Sequence, residues 1–229
     1  MLREGRLIAV SPYFNDAVVS CAGVLAARPD CTVLTVFSGM PLGAGDLSES
    51  DRLAGFNNGR DAVRARQSGS ERALALLRAG AAQMDLLDGQ YLQSGEEGRL
   101  TGALAAALSA LRPRVILMPL GLCISGGTRV SDACLTIRAL FQRVDWVAYE
   151  EMCEDEPGIV QTRLAALLRR RILATPVSIP PETDAGLSRQ RAIQARSSLA
   201  TLDERVRATQ PDAPPERYWR LSWRRERNP

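Results

Sequence analysis

Along the first two thirds of the chain, short apolar runs rich in β-branched residues alternate with segments whose apolar positions recur every three or four residues. The runs lie at Arg6–Ser11, Cys31–Ser38, Gln83–Leu87, Arg114–Pro119 and Val144–Tyr149, and their length and composition predict strands. The periodic segments Asp16–Ala27, Asp61–Arg78, Leu100–Leu111 and Val130–Phe141 predict helices. This βαβαβαβαβ order predicts an α/β fold, a mostly parallel sheet with helices on both faces and a ligand site beyond the carboxyl ends of its strands. The loops at those ends are long and polar, as loops bordering a cleft are: SGMPLGAGDLSESDRLAGFNNGR, DGQYLQSGEEGR and LGLCISGGT.

The last third reads differently, with an apolar stretch over Ile172–Ile179, a Pro-rich turn, an amphipathic helix from Leu187 to about Thr209, and a closing strand in RYWRLSW. The expectation is one domain, with core βα units over 1–150 and a C-terminal α+β extension over 151–229. Its length of 229 residues and 45% hydrophobic content suffice for one sizeable core.

Charge narrows the function classes. The formal net charge is only +3, and all 29 basic residues are arginines spread along the chain, which argues against a nucleic-acid-binding stripe. No apolar run approaches the roughly 20 residues that a membrane helix needs, and Asn15 and Asp16 interrupt the apolar N-terminus, so a cytoplasmic protein is expected. The five cysteines are scattered without a CxxC pair, which disfavours a disulfide framework and fits a reducing compartment. Histidine is absent from the whole chain.

The first strand ends on SPYFNDAVVSC, a proline, an aromatic and an Asn-Asp pair running into a helix. With TVFSG, GFNNGRDAVRAR, DLLDGQY, LMPLGL and PERYWRL, it occurs in the order and spacing of the LmbE/PIG-L family of zinc-dependent N-deacetylases, which the chain resembles over nearly its whole length. The resemblance implies a Rossmann-like domain and, in usual members, hydrolysis of the N-acetyl group of an amino sugar or related conjugate. It also implies a zinc-bound water held by two histidines and an aspartate, with a second aspartate as general base.

Matched to that pattern, Pro12 and Asp16 are retained, Tyr13 stands where a histidine ligand belongs, and Asn15 stands where the general base belongs. The second histidine motif falls on Ile124 and Gly127, and the acidic residue expected three places after Arg66 falls on Gly69. A lone carboxylate leaves zinc mostly water-coordinated, so no metal and no other cofactor is expected.

Asp16 and Tyr13 are therefore the candidate catalytic residues, and Asn15, Asp51, Asn58, Arg66, Asp88, Tyr91 and Arg129 the candidate substrate-binding residues. Each also has an ordinary reading. Asp16 suits a helix start, Tyr13 suits an aromatic plug in a vacated cavity, and the Asp and Asn residues suit turns. Arg66 and Arg129 could clamp a carboxylate or lie on the surface. The expected partner is a small polar or sugar-containing metabolite, with neither nucleic acid nor membrane, and assembly into a homo-oligomer stays open. Two alternatives stand beside this reading: a residual zinc deacetylase using Asp16 and Cys123, and a pseudoenzyme that accompanies an active paralogue.

Overall fold

The computed structural model describes residues 4–28, 30–42, 47–91, 99–123, 126–152, 157–179, 191–192 and 215–223. Its strands are β1 (Leu7–Ser11), β2 (Thr32–Thr35), β3 (Gly80–Gln83), β4 (Val115–Pro119), β5 (Asp145–Tyr149), β6 (Ile172–Val177) and β7 (Tyr218–Trp223). The helices are α1 (Asp16–Ala27), α2 (Glu49–Leu53), α3 (Gly59–Leu76), α4 (Leu100–Leu111), α5 (Gly126–Ile137) and α6 (Ile159–Arg169). The strands form one mixed sheet in the order β3-β2-β1-β4-β5-β7-β6. The five strands from β3 to β5 are parallel, and β7 runs antiparallel between β5 and β6.

Alternation along the central strands sends successive side chains to opposite faces. On one face Ile8, Val10, Ile116 and Met118 pack with Leu104 and Leu108 of α4, Val130 and Cys134 of α5, and Leu167 of α6. On the other, Leu7, Ala9, Val115 and Leu117 pack with Ala17, Val18 and Ala22 of α1 and with Ala73 and Leu74 of α3. Both faces of β1 and β4 are therefore covered, which is why these strands read as unbroken apolar runs.

Several expected elements are corrected. The third strand is Gly80–Gln83, not Gln83–Leu87, because the chain pairs Thr32–Thr35 with Gly80–Gln83 and turns away at Asp85, whose φ is 55°. Met84 and Leu86 still pack partly against the core, from outside the sheet. Helix α6, unforeseen in the sequence, follows β5, and α5 begins at Gly126, with a 3-10 turn over Arg138–Phe141 behind it. The helix expected over 187–209 lies outside the described residues except at 191–192.

The PERYWRL segment closes the sheet and also holds α1. Cys21 is non-helical within α1 (φ −147°, ψ 30°), and the Glu216 carboxylate accepts from the Gly23 N–H just beyond it, at 3.0 and 3.2 Å. A Cβ on Gly23 would stand 2.8 Å from Glu216 Oε2, so glycine there lets the carboxylate approach the backbone.

Candidate functional site

The chain leaves β1 for β2 and β3 on one side, then crosses to β4 and β5 on the other. The carboxyl ends of β1 and β4 thus border the point where strand order reverses, where parallel α/β sheets hold their ligands. Three loops meet there.

The β1 loop is folded by its own polar groups. Ser11 Oγ donates to the Tyr13 carbonyl at 2.6 Å and accepts from the Ala17 N–H at 3.0 Å, and Asp16 Oδ2 accepts from the Tyr13 N–H at 3.1 Å. Asn15 closes the turn at φ 74°, a left-handed conformation that asparagine tolerates better than most residues. Its side chain makes no capping bond to α1, and its buried Oδ1 has no hydrogen-bond partner among the described residues. An orphaned buried acceptor is uncommon in a native fold.

The β4 loop and the residue after β5 form the second part. Glu151, 8% exposed, accepts from the N–H of Gly121 at 3.1 and 3.0 Å and from that of Leu122 at 3.0 Å. The donors are fixed from behind by Arg163, which donates to the Leu120 carbonyl at 2.9 Å and to Ser131 and Asp132 at 3.0 Å. The next residue, Met152, donates its N–H to Ser20 Oγ at 3.3 Å, and Ser20 lies one turn beyond Asp16 on α1, so the Glu151 segment abuts that helix. Burial, opposed by these backbone N–H groups and reinforced by the Asp16 charge, pushes the Glu151 carboxyl up to about 7.

Two adjacent glycines make room for both groups. A Cβ on Gly126 would stand 2.4 Å from Tyr13 Cε2, and one on Gly127 would stand 2.4 Å from Glu151 Oε1. Tyr13 thus lies against Gly126, and the Glu151 carboxylate fills the space that a side chain at Gly127 would need. Gly126→Ala is expected to destabilise the fold by about 1–3 kcal/mol through this overlap. In a Tyr13→Ala background the same change should be neutral or better. Urea denaturation of the two single variants and the double variant measures the coupling.

Tyr13 is half-buried, its ring centroid 5.4 Å from that of Phe37, and its hydroxyl donates to Asp88 Oδ1 at 3.3 Å. The Arg129 guanidinium lies over Phe37, 5.4 Å from its centroid. Tyr13, Asp16, Asp88 and Arg129 are therefore brought to one mouth, with Asn15 buried behind them. The other candidates serve each other: Arg66 is ion-paired to Asp51, Tyr91 donates to Asp51 Oδ2 at 2.5 Å, and Arg66 donates to the Tyr91 hydroxyl at 3.3 Å. Asn58 caps α3, its Oδ1 accepting from the Asp61 N–H at 2.8 Å. Ile124 lies outside the described residues.

The expectation of cysteines without disulfides is corrected, and it bears on Cys123 as a metal ligand. Cys123 is disulfide-bonded, while Cys21, Cys31 and Cys134 are free and buried. A sulfur in a disulfide offers no thiolate to a metal. Zinc at a catalytic centre is held by three protein ligands, and the donors that the described residues bring to this cleft are the carboxylates of Asp16, Asp88 and Glu151 in a chain without histidine. Among the described residues no group of three His, Cys, Asp or Glu side chains could hold a metal ion. These residues do not fit a zinc centre of that kind.

The chain superposes over its whole core on solved deacetylases. It is similar to a zinc-inhibited teicoplanin deacetylase, at 16% identity and TM-score 0.75, covering 97% of this chain and 100% of that one. A deacetylase of an antimicrobial pseudoaglycone shares 20% identity at TM-score 0.69, over 95% and 97% of the two chains. The N,N'-diacetylchitobiose deacetylase of Pyrococcus horikoshii shares 14% at TM-score 0.54, over 90% and 71%. The chain has the LmbE/PIG-L deacetylase fold. No protein-family model matches the sequence, and comparison with curated proteins gives no match. Within this fold, the Glu151 carboxylate is the feature that motif matching missed. It sits in the acidic run YEEMCEDE, which resembles a solvated segment, and its only sequence signal is its place two residues past the end of β5. Among the described residues, no helix is long and apolar enough to cross a membrane.

Proposed function

We propose that this deacetylase-fold protein works without a metal or other cofactor, and that its cleft binds a small polar or glycosylated metabolite and exchanges a proton with it through Glu151. The observation that carries the reading is the Glu151 carboxylate, buried on the Gly121 and Leu122 N–H groups and filling the space beside Gly127. A carboxyl held near neutrality next to a second carboxylate, Asp16, is the arrangement by which one site keeps an acid and a base at the same pH. Tyr13 adds a neutral hydroxyl donor at the mouth. The ligand class is suggested by the similar proteins, one of which is described in complex with teicoplanin in that compound's biosynthesis pathway.

The test is to titrate purified protein with teicoplanin-type glycopeptides in N-acetylated and deacetylated forms, with and without a chelator, while following mass changes and bound metal. Saturable binding, and turnover that resists the chelator and is lost in Glu151→Gln, supports the proposal. Saturable binding without product would leave a binding protein and reject the proton-exchange step. Stoichiometric zinc with chelator-sensitive turnover would overturn the metal-free reading.

A further inference from the structure

We infer that Arg129 is an anion-recognition residue at the rim of the cleft, taking a carboxylate borne on a ring that lies against Tyr13 and Phe37. This deepens the metabolite-binding reading above and rests on it for the location of the ligand. The inference comes from comparing the duties of the arginines around the site. Arg66 is committed to Asp51 and Tyr91, and Arg163 to the Leu120 carbonyl, Ser131 and Asp132. Arg129 is half-buried and, among the described residues, its charge meets no carboxylate; its guanidinium lies over the Phe37 ring, 5.4 Å from the centroid.

That position bears on what the guanidinium can do. A guanidinium over an aromatic ring can still direct N–H groups away from that ring, and two parallel N–H groups match the two oxygens of a carboxylate. The aromatic surface continues from Phe37 to Tyr13, whose ring is tilted 36° to it. The neighbouring carboxylate of Asp88 is engaged by the Tyr13 hydroxyl at 3.3 Å and by Gln90 Nε2 at 2.7 Å. Nη1 of Arg129 passes beside Gly89, 3.4 Å from where a Cβ would stand, which sets the guanidinium next to the Asp88 turn. A ligand ring on Tyr13 and Phe37 with a carboxylate at its edge would meet both features together.

The experiment uses two probe pairs in which one member carries a carboxylate and the other a neutral group in its place: phenyl β-glucuronide against phenyl β-glucoside, and benzoate against benzamide. Binding is followed by chemical-shift changes in the full-length wild type, Arg129→Gln and Arg129→Lys. The glucuronide is expected to bind about tenfold more tightly than the glucoside, the advantage of a charge-assisted hydrogen bond. Arg129→Gln should abolish that preference, the two glycosides then binding alike, and Arg129→Lys should keep part of it. Equal binding of the members of each pair, or a preference that survives Arg129→Gln, would overturn the inference. If neither glycoside binds while benzoate shows the Arg129-dependent preference, the glycoside reading of the cleft falls and the anion subsite stands. If benzoate is silent as well, the anion subsite is rejected.

Discussion

Raising the pH from about 4.5 to about 7 is expected to cost the protein on the order of 3 kcal/mol of stability, and Glu151→Gln should remove most of that dependence. The direction follows from proton binding. Glu151 ionises near 4.5 in the unfolded chain and near 7 in the fold, so between those values the folded state holds the extra proton. Stability therefore falls as pH rises through the window and levels off above it; below about 4.5 both states are protonated. The window is unusually clean because the chain has no histidine. Glutamine is not a perfect stand-in: with its oxygen toward one backbone donor, its amide nitrogen faces the other. The slope, read as urea midpoints at pH 5 and pH 7.5, is therefore the decisive quantity. A flat wild-type curve, or an undiminished slope in the variant, would remove Glu151 as the neutral-range proton carrier.

That carboxylate also marks the boundary of what the sequence discloses. β1, β4 and β5 are legible because both of their faces are buried, and their apolar runs admit no other element. β3 is misplaced by three or four residues because its four residues, GAAQ, form a largely exposed edge whose pairing is set by Thr32–Thr35. The more apolar MDLL that follows was the better strand by composition, yet the left-handed turn at Asp85 takes it out of the sheet. The site divides in the same way. Tyr13, Asn15 and Asp16 are adjacent in the chain and could be found by motif, whereas Glu151 reaches them only through the order of strands, in which β5 lies two places from β1. No local pattern shows that its partners are the N–H groups of residues 30 and 29 positions earlier.

Arg66→Ala is expected to destabilise the protein by about 2–3 kcal/mol, more than Asp51→Ala, with the double variant recovering part of the loss. Asp51 has no exposed surface, and its carboxylate is held by Arg66 and Tyr91. Burial alone would raise its pKa, but the hydrogen bonds from Tyr91 and Arg66, with help from Ser48, outweigh it and hold the carboxyl below its usual value of 3.8. Its stabilising contribution is therefore present above that value and lost as pH falls through the lower folded pKa. Removing Arg66 leaves a buried charge with its main counter-ion gone. Removing Asp51 leaves an arginine whose side chain is 36% exposed and can turn to water, which also keeps the expected loss below that of a fully buried pair. In Arg66→Ala the hydrogen bond and the charge by which Arg66 lowers the Asp51 pKa are gone, so the loss relative to wild type should be smaller at low pH than at neutral pH. Urea denaturation at pH 3 and pH 7 reads both effects, and equal losses at the two values would reject the pairing as the cause. The consequence reaches the cleft, because this triad joins α2, α3 and the 3-10 turn Gly89–Tyr91, and that turn follows directly on Asp88, the partner of the Tyr13 hydroxyl. The residues expected to touch ligand at Asp51, Arg66 and Tyr91 thus act first on the wall that holds Asp88 in place, and a ligand-binding defect in Arg66→Ala should be accompanied by loss of stability. In Asp88→Asn, where the triad is intact, any binding defect should appear without that loss.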